Sequence, residues 1–300
     1  MQNFIETNRE DLLKEDASKR IQHFKEIYKI YTERKVARQA ERCVQCGDPF
    51  CTTIGCPLNN AIPQWLEAIA EQNLEKAFRL SNETSPFPEV LGRVCPHNVL
   101  CEGACTLEDG YGAITIGPIE ATITELAFEA GLSLEFPTVK QDKRVAIIGS
   151  GPAGMSCAHF LLRAGIPVDM YERADQPGGL LTYGIPGFKL EKQTVARRFA
   201  LLEQAGMTLH LNTEIGHGND LNALIDKYDA VFLGLGATDG KLPELPQQDL
   251  PQVFLAMEFL TNIQRRLSDR AWMERFGVLG KRVVVIGGGD TAMDCVRTAV

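Results

Sequence analysis

The spacing of apolar residues changes near residue 143 and divides the chain into two kinds of segment. In the first part, apolar side chains recur at helical spacing, so residues 1–42 are predicted to be mainly helical. Further helices are predicted to begin at Ile62, where Pro63 suits the first turn, and to run from Ile119 to Ala130. The stretches between them are rich in Cys, Gly, Pro and Asn, which indicates irregular backbone.

From Lys143 onward, short runs of branched apolar residues are followed by glycine or by helical patterns. Such runs are typical of buried parallel strands. The predicted strands are Val145–Ile148, Pro167–Tyr171, Ala230–Gly234 and Arg282–Ile286, and an amphipathic helix is predicted at Val253–Arg265. The fold class is therefore predicted as α + α/β multidomain, with a helical N-terminal domain before a Rossmann-like part.

Charge and hydropathy argue against two classes of function. The 300 residues carry a formal net charge of −8, and an acidic chain is a poor ligand for nucleic acid. The sequence has no run of about 18 apolar residues, so we expect no membrane span. The polar N-terminus lacks the apolar core of a secretory signal. We therefore expect a cytoplasmic protein that binds neither nucleic acid nor membrane.

Seven of the nine cysteines lie between residues 43 and 105. Disulfide frameworks usually occur in short secreted chains, so thiolates that hold metal are the better interpretation. The two groups are spaced Cys43-x2-Cys46-x4-Cys51-x4-Cys56 and Cys95-x5-Cys101-x3-Cys105. Cys56 precedes a proline, as the last cysteine of a ferredoxin run does, which favours iron–sulfur clusters.

Structural zinc is the main alternative, because the CxxC spacing serves both kinds of site. Two all-cysteine zinc sites would need eight thiolates, whereas this region offers seven. Its longer spacings are also unusual for zinc ribbons. Cysteines without any ligand form a third alternative. Cys157 and Cys295 lie outside the region in predicted helices, and we expect them to be small packing residues.

A GxGxxG motif, Gly149-Ser-Gly151-Pro152-Ala153-Gly154, stands between a predicted strand and a predicted helix. Its glycines permit a tight turn and a close approach of the backbone to pyrophosphate at the helix N-terminus. Glu172 ends the next strand about 20 residues on, where a carboxylate binds ribose hydroxyls. These features predict a dinucleotide site, and a purely structural glycine turn is the alternative.

A second motif of this kind, Gly287-Gly-Gly289-Asp290-Thr291-Ala292, follows the run Arg282–Ile286. The residue that distinguishes NAD from NADP lies about 20 positions beyond such a motif, which is past Val300. A βαβ unit needs roughly 30 or more residues. We therefore expect a truncated chain with an incomplete second nucleotide domain that binds NADPH poorly.

Three segments carry a resemblance to a known family. They are Glu41-Arg-Cys-Val-Gln-Cys-Gly47, Gly92-Arg-Val-Cys-Pro-His-Asn-Val-Leu-Cys-Glu-Gly-Ala-Cys105 and Gly112-Ala-Ile-Thr-Ile-Gly-Pro-Ile-Glu120. With the two nucleotide motifs in the same order, the chain resembles the small (beta) subunits of bacterial NADPH-dependent glutamate synthases over essentially its whole length. Related N-terminal domains occur in dihydropyrimidine dehydrogenase and in ferredoxin–NADP reductase subunits.

The resemblance implies two [4Fe–4S] clusters with interleaved ligands. The first would use Cys43, Cys46, Cys51 and Cys105. The second would use Cys56, Cys95, Cys101 and the carboxylate of Glu120, for which a helix N-terminal role is the alternative. Four residues separate Cys51 from Cys56, where the family usually has three, and a bulge at Gly55 is expected to absorb the difference.

The resemblance also implies two nucleotide cofactors and three domains. The FAD contacts would be the first glycine motif with Glu172, Arg173, Gly179, Leu180 and Gly236, and the NADPH contacts would be Gly287, Gly289, Asp290, Thr291 and Ala292. A simple turn is the alternative at Gly236. The domains would span residues 1–140 with both clusters, 141–278 as a Rossmann-like FAD domain, and 279–300 as the start of a Rossmann-like NADPH domain.

In that family, electrons pass from NADPH to FAD and through the clusters to FMN on the large (alpha) subunit. That subunit makes L-glutamate from 2-oxoglutarate and glutamine. The five histidines of this chain are scattered and suggest no acid–base site, so we expect the substrate chemistry on the partner. The alternatives are the electron-input module of a pyrimidine-reducing or ferredoxin–NADP reductase system, and an inactive fragment that binds clusters.

Overall fold

The computed structural model describes residues 1–138, 140–216, 220–242, 246, 250–267, 278 and 280–300. The chain divides into two compact units, one made of Met1–Ala17 and Glu26–Phe136 and the other of Ser18–Lys25 and Pro137–Val300. The first unit is mainly helical, and the second contains a parallel sheet together with helices. The division of the chain into three domains stays a prediction.

The first 42 residues contain less helix than the spacing of their apolar residues predicts. They form β1 (Leu13–Lys14), α1 (Ala17–Arg20), β2 (Tyr28–Lys29) and α2 (Glu33–Ala40), with β1 and β2 paired antiparallel. Tyr31 donates from its hydroxyl to the carbonyl of Glu10 at 2.6 Å and from its amide to the hydroxyl of Thr122 at 3.2 Å. The prediction of a mainly helical stretch is wrong because these tertiary contacts override the local helical preference.

The rest of the first unit consists of short helices around one apolar core. They are α3 (Phe50–Thr53), α4 (Ile62–Ala70), α5 (Leu74–Thr84), α6 (Pro88–Val94), a 3₁₀ turn (His97–Val99), α7 (Glu108–Tyr111) and α8 (Ile116–Glu129). The helix predicted at Ile62 is confirmed with Pro63 in its first turn, and α8 begins before the predicted Ile119. Cys43 and Cys101 belong to the core, so its packing fixes the irregular cysteine segments.

In the second unit, four strands form a parallel sheet in the order β5–β4–β3–β6. They are β3 (Val145–Ile148), β4 (Val168–Tyr171), β5 (Met207–His210) and β6 (Ala230–Leu233). The three strands predicted in this range are confirmed to within a residue, and β5 was not predicted. If β3 is counted as the first strand of this sheet, the order is 3-2-1-4, as in doubly wound nucleotide-binding sheets. Ligands of such sheets lie at the carboxyl ends of the strands, where the strand order reverses. Here that position lies between β3 and β6.

The helices of the second unit are α9 (Pro152–Arg163), α10 (Leu180–Tyr183), α11 (Lys192–Gln204), α12 (Asp220–Lys227), α13 (Ala256–Arg265) and α14 (Asp290–Ala299). Cys157 lies in α9 and is partly buried, whereas Cys295 lies in α14 and is buried against α13. None of the described helices is long and apolar enough to cross a membrane.

The predicted strand Arg282–Ile286 is not a strand in the structure. No strand within the described ranges pairs with it, and the side chains of Val284 and Ile286 are 85% and 72% exposed. A strand needs hydrogen bonds to a neighbouring strand, and an apolar pattern alone does not supply them. The prediction is therefore wrong, although the glycines and the helix that follow are placed as expected.

Candidate cofactor sites

Four cysteines of the first unit line one pocket. Cys43, Cys46, Cys51 and Cys105 form its wall together with apolar side chains such as Leu66. About 360 Å³ of the pocket holds no protein atom, and part of this space is open to solvent. These four cysteines are the set that the resemblance implies for the first cluster. We call this place the first cysteine site.

Burial holds two thiols of the first cysteine site, those of Cys43 and Cys51, in their protonated form. It raises the pKa of Cys43 to about 11 and that of Cys51 to about 12. The neighbouring Cys105 and Cys46 raise both values further. Thiolate is the form that binds metal. A bound metal centre would therefore displace protons and compensate the negative charge, which is how such sites couple metal binding to folding.

A second set of thiols interacts with a carboxylate. Burial, together with the charges of Glu120 and Cys56, raises the pKa of Cys95 to about 12. Burial also raises the pKa of Cys101, as do the nearby Glu102 and then Glu120. Charges shift a pKa in this way only at short range. These electrostatic interactions associate Cys56, Cys95, Cys101 and Glu120, and we call this group the second cysteine site.

The position of Glu120 disfavours the helix N-terminal role. Helix α8 begins at Ile116 and has no acidic residue in its first turn, whereas the effect of the helix dipole fades beyond that turn. Burial, with a smaller contribution from the charge of Glu89, raises the pKa of Glu120 to about 8. A carboxyl group that is costly to ionise and faces thiols has the chemistry of a metal ligand.

Gly55 has a packing role that the sequence did not show. A Cβ atom at Gly55 would lie 2.7 Å from the Cα atom of Cys101 and 2.8 Å from the carbonyl oxygen of Leu100. The backbone φ of Gly55 is not positive, so the close approach of two backbones, rather than an unusual turn, requires glycine. This contact fixes Cys56 beside Cys101. The only signal in the sequence was a glycine between two candidate ligands.

In the second unit, the first glycine motif forms the crevice between β3 and β6. Gly149 has a φ of +97°, and a Cβ atom there would lie 2.3 Å from the carbonyl oxygen of Gly234. A Cβ atom at Gly154 would lie 1.9 Å from the carbonyl oxygen of Gly149. By contrast, no described atom lies within 4 Å of the Cβ position of Gly151. The loop is therefore tightly packed at Gly149 and Gly154, and its surface at Gly151 is open.

The N-terminus of α9 faces this open side. Pro152 occupies its first turn, as suits a position whose amide needs no partner, and both Pro152 and Ala153 are exposed. Free amides and the helix dipole favour an anion at such an end. The residues present therefore fit a dinucleotide pyrophosphate.

Glu172 is buried and tied to the glycine loop. Its carboxylate accepts hydrogen bonds from the amide of Ser150 at 3.0 Å, from the hydroxyl of Ser150, and from the amide of Ala174 at 2.8 Å. A carboxylate has about four acceptor positions, so one remains for a ribose hydroxyl. Ser150, which sequence reasoning missed, also accepts from the amide of Gly178 at 3.0 Å. It therefore joins Glu172 to the segment that follows.

That segment approaches the loop from the other side. Gly179 has a φ of +54°, and a Cβ atom there would lie 3.0 Å from the Cα atom of Gly151. Gly236, with a φ of +69°, follows β6 and has open space at its Cβ position. Leu180 and Arg173 are exposed. The structure thus brings Gly151 and Gly179 together and leaves Gly236 and Leu180 accessible.

A buried lysine that sequence reasoning missed holds this segment. Lys192 donates from Nζ to the carbonyl of Leu181 at 2.9 Å and to the carbonyl of Ile185. Burial lowers the pKa of Lys192 to about 8. Leu181 lies within α10 and Ile185 lies two residues beyond its last residue, so the lysine links this short helix to the chain that follows it.

The second glycine motif has the same local geometry as the first. Gly287 has a φ of +138°, and a Cβ atom there would lie 3.3 Å from the Cβ atom of Ala292. Gly289 precedes α14 and has open space in front, and the first turn of α14 carries Asp290 and Thr291. Its amides can therefore receive an anion.

Comparisons with known proteins match both parts of the chain. Residues 20–132 match the family described as dihydropyrimidine dehydrogenase domain II, 4Fe-4S cluster. Residues 143–300 match the pyridine nucleotide-disulphide oxidoreductases, and the chain belongs to this family, with an iron–sulfur domain in front. The predicted order of a helical iron–sulfur domain and a Rossmann-like nucleotide domain is thereby confirmed.

More particularly, the chain is similar to glutamate synthase [NADPH] small chains, so the resemblance in the sequence is confirmed. It is 46% identical to that of Halomonas elongata over 302 aligned positions and 46% identical to that of Escherichia coli over 301. It covers 63% and 64% of their lengths, with 99% of its own residues aligned. It is also 45% identical to the putative oxidoreductase AegA of Escherichia coli, with 92% of this chain and 43% of that protein aligned.

Proposed function

We propose that the chain is the electron-input part of a cytoplasmic NADPH-dependent glutamate synthase. It would oxidise NADPH and pass electrons through FAD and two [4Fe–4S] clusters to a large subunit that carries FMN and makes L-glutamate from 2-oxoglutarate and glutamine. The observation that carries this proposal is a four-cysteine pocket and a glycine crevice in one chain similar to glutamate synthase small chains.

When bound, FAD supplies the conversion of a two-electron hydride into single electrons, which iron–sulfur clusters carry. The residues of the chain hold and orient these groups. The first cysteine site would hold one cluster, and the second cysteine site, with Glu120, would hold the other. The pocket lined by the four cysteines of the first site, and the electrostatic interactions among the residues of the second, support this division.

The nucleotide contacts are proposed from the same local geometry. Gly149, Gly151 and Gly154 would receive the FAD pyrophosphate, and the remaining acceptor position of Glu172 would bind a ribose hydroxyl. Arg173, Gly179, Leu180 and Gly236 would complete the FAD site. Gly287, Gly289, Asp290, Thr291 and Ala292 would receive NADPH. The proposed domains are 1–140, 141–278 and 279–300.

Metal and sulfide analysis of anaerobically purified protein tests the cluster assignment. Two cubanes predict about eight iron and about eight labile sulfide per chain. Stoichiometric zinc without sulfide would contradict it.

Reconstitution with a partner tests the activity. A version of the chain extended to the length of the small chains it is similar to should form glutamate from NADPH after addition of a glutamate synthase large subunit. Dye reduction by NADPH without glutamate formation would point instead to the input module of another reductase. The absence of both activities in protein that retains its clusters would indicate a binding fragment.

A further inference from the structure

Arg42 is a fully buried arginine next to the first cysteine site. Its side chain is 0% exposed, and it precedes Cys43 in the chain. The guanidinium donates to the carbonyl oxygens of Thr7 at 3.0 Å and Ala113 at 2.9 Å. It also donates to the carbonyls of Tyr111 and Gly112 at 2.7 Å and 2.9 Å. Four backbone carbonyl groups therefore hold this one cation in place.

The charge of Arg42 is not balanced by the protein around it. All four of these acceptors are neutral, and among the residues that the structure describes no carboxylate pairs with Arg42. Burial lowers its pKa, and the neighbouring Arg9 lowers it further, whereas Cys105 raises it. A buried charge is costly unless an opposite charge accompanies it. Arg42 adjoins the first cysteine site through its neighbours: Cys43 follows it in the chain, and Ile114, next to the Ala113 that accepts from its guanidinium, lines the pocket.

The second cysteine site has carboxylates instead. Glu102 is buried beside Cys101, accepts from the amide of Gly117 at 3.2 Å, and pairs with Arg9 at 2.8 Å. Arg9 also pairs with Asp11 at 2.9 Å, so its charge is already balanced. Glu120 belongs to this site as well. The two sites therefore differ in electrostatic surroundings, one next to an unbalanced cation and one next to carboxylates.

We propose that Arg42 is the buried counter-charge of a cluster at the first cysteine site, and that it makes this cluster accept an electron more readily than the cluster at the second site. A cubane held by four thiolates is anionic, and each one-electron reduction by the flavin adds one negative charge. A fixed cation nearby stabilises that charge and raises the reduction potential. The inference rests on the ligand sets in the proposed function.

Redox titration of the anaerobic holoprotein, followed by electron paramagnetic resonance, tests the proposal. Arg42→Gln should shift the potential of one cluster to more negative values, and Arg42→Lys should leave it near the wild-type value because the charge is kept. Arg38→Gln is the matched control. Arg38 is an exposed arginine of α2 that pairs with Glu10, so its loss should move neither potential.

Iron and sulfide contents of the same samples separate failure of this inference from failure of the proposed clusters. With full cluster content, three results would overturn it: Arg42→Gln moves neither potential, Arg42→Lys moves a potential as far as Arg42→Gln does, or Arg38→Gln moves the same potential equally far. If Arg42→Gln does not retain its clusters, Arg42→Lys decides. A shift of either potential in Arg42→Lys would then overturn it.

Discussion

Replacing Glu172 by alanine should loosen the whole glycine loop, as well as removing a contact with FAD. The side chain accepts three hydrogen bonds, two of them from Ser150, which is completely buried. Hydrogen bonds to a charged group contribute about 1.5–3 kcal/mol each, and leaving a buried donor unsatisfied costs about 1–3 kcal/mol. Because the three bonds share one acceptor, we expect a total loss of roughly 3–5 kcal/mol rather than their sum.

The expected results are a lower melting temperature and weaker flavin binding. At about 2–4 °C per kcal/mol for a domain of this size, the second unit should melt roughly 10 °C earlier. Loss of one ribose contact should weaken FAD binding by about tenfold to a hundredfold. Differential scanning calorimetry and a flavin fluorescence titration measure the two effects.

Two variants control this experiment. Glu172→Gln keeps the size of the side chain and one acceptor atom, so its effects should be smaller. Glu203→Ala removes an exposed carboxylate from α11 and should change neither quantity. The reasoning is refuted if Glu172→Ala binds FAD as tightly as wild type and melts at the same temperature.

Three further predictions follow from the packing and the charges. Gly55→Ala should lower cluster content and thermal stability, because its Cβ atom would overlap the backbone of Cys101. Gly47→Ala should be tolerated, because no described atom lies within 4 Å of its Cβ position, and equal iron content in the two variants would contradict this prediction. Burial, together with the charges of Arg198 and Arg163, lowers the pKa of His159 to about 3. The unfolded chain therefore binds the extra proton between about pH 6.5 and 3, and stability should fall as the pH falls through that window. Urea titrations at several pH values should show a shallower fall in His159→Leu, and parallel curves would refute the assignment. Removal of the clusters with an iron chelator should destabilise the helical unit more than the sheet-containing unit, which calorimetry can resolve, because bound metal contributes to the folding free energy of its own site.

The sequence by itself determined the features that depend on short-range pattern. Branched apolar runs before glycine marked β3 and β6, because a strand buried on both faces must be apolar throughout. The glycine spacing marked the turn into α9 because only glycine combines a positive φ with close backbone contact, as at Gly149. The cysteine count and spacing indicated metal. Assigning the cysteines to two ligand sets required the resemblance to a family.

Only the tertiary structure decided features that depend on residues far apart in the chain. The apolar spacing of residues 1–42 predicted helix, but contacts such as that of Tyr31 with Thr122 replaced it. The run Arg282–Ile286 has the composition of a strand and lacks a described partner. The buried position of Arg42 has no local signal, because it depends on hydrogen bonds to carbonyls about 70 residues away in the chain. The local sequence pattern determines which backbone conformations are low in free energy, whereas hydrogen-bond partners and burial come from the rest of the fold.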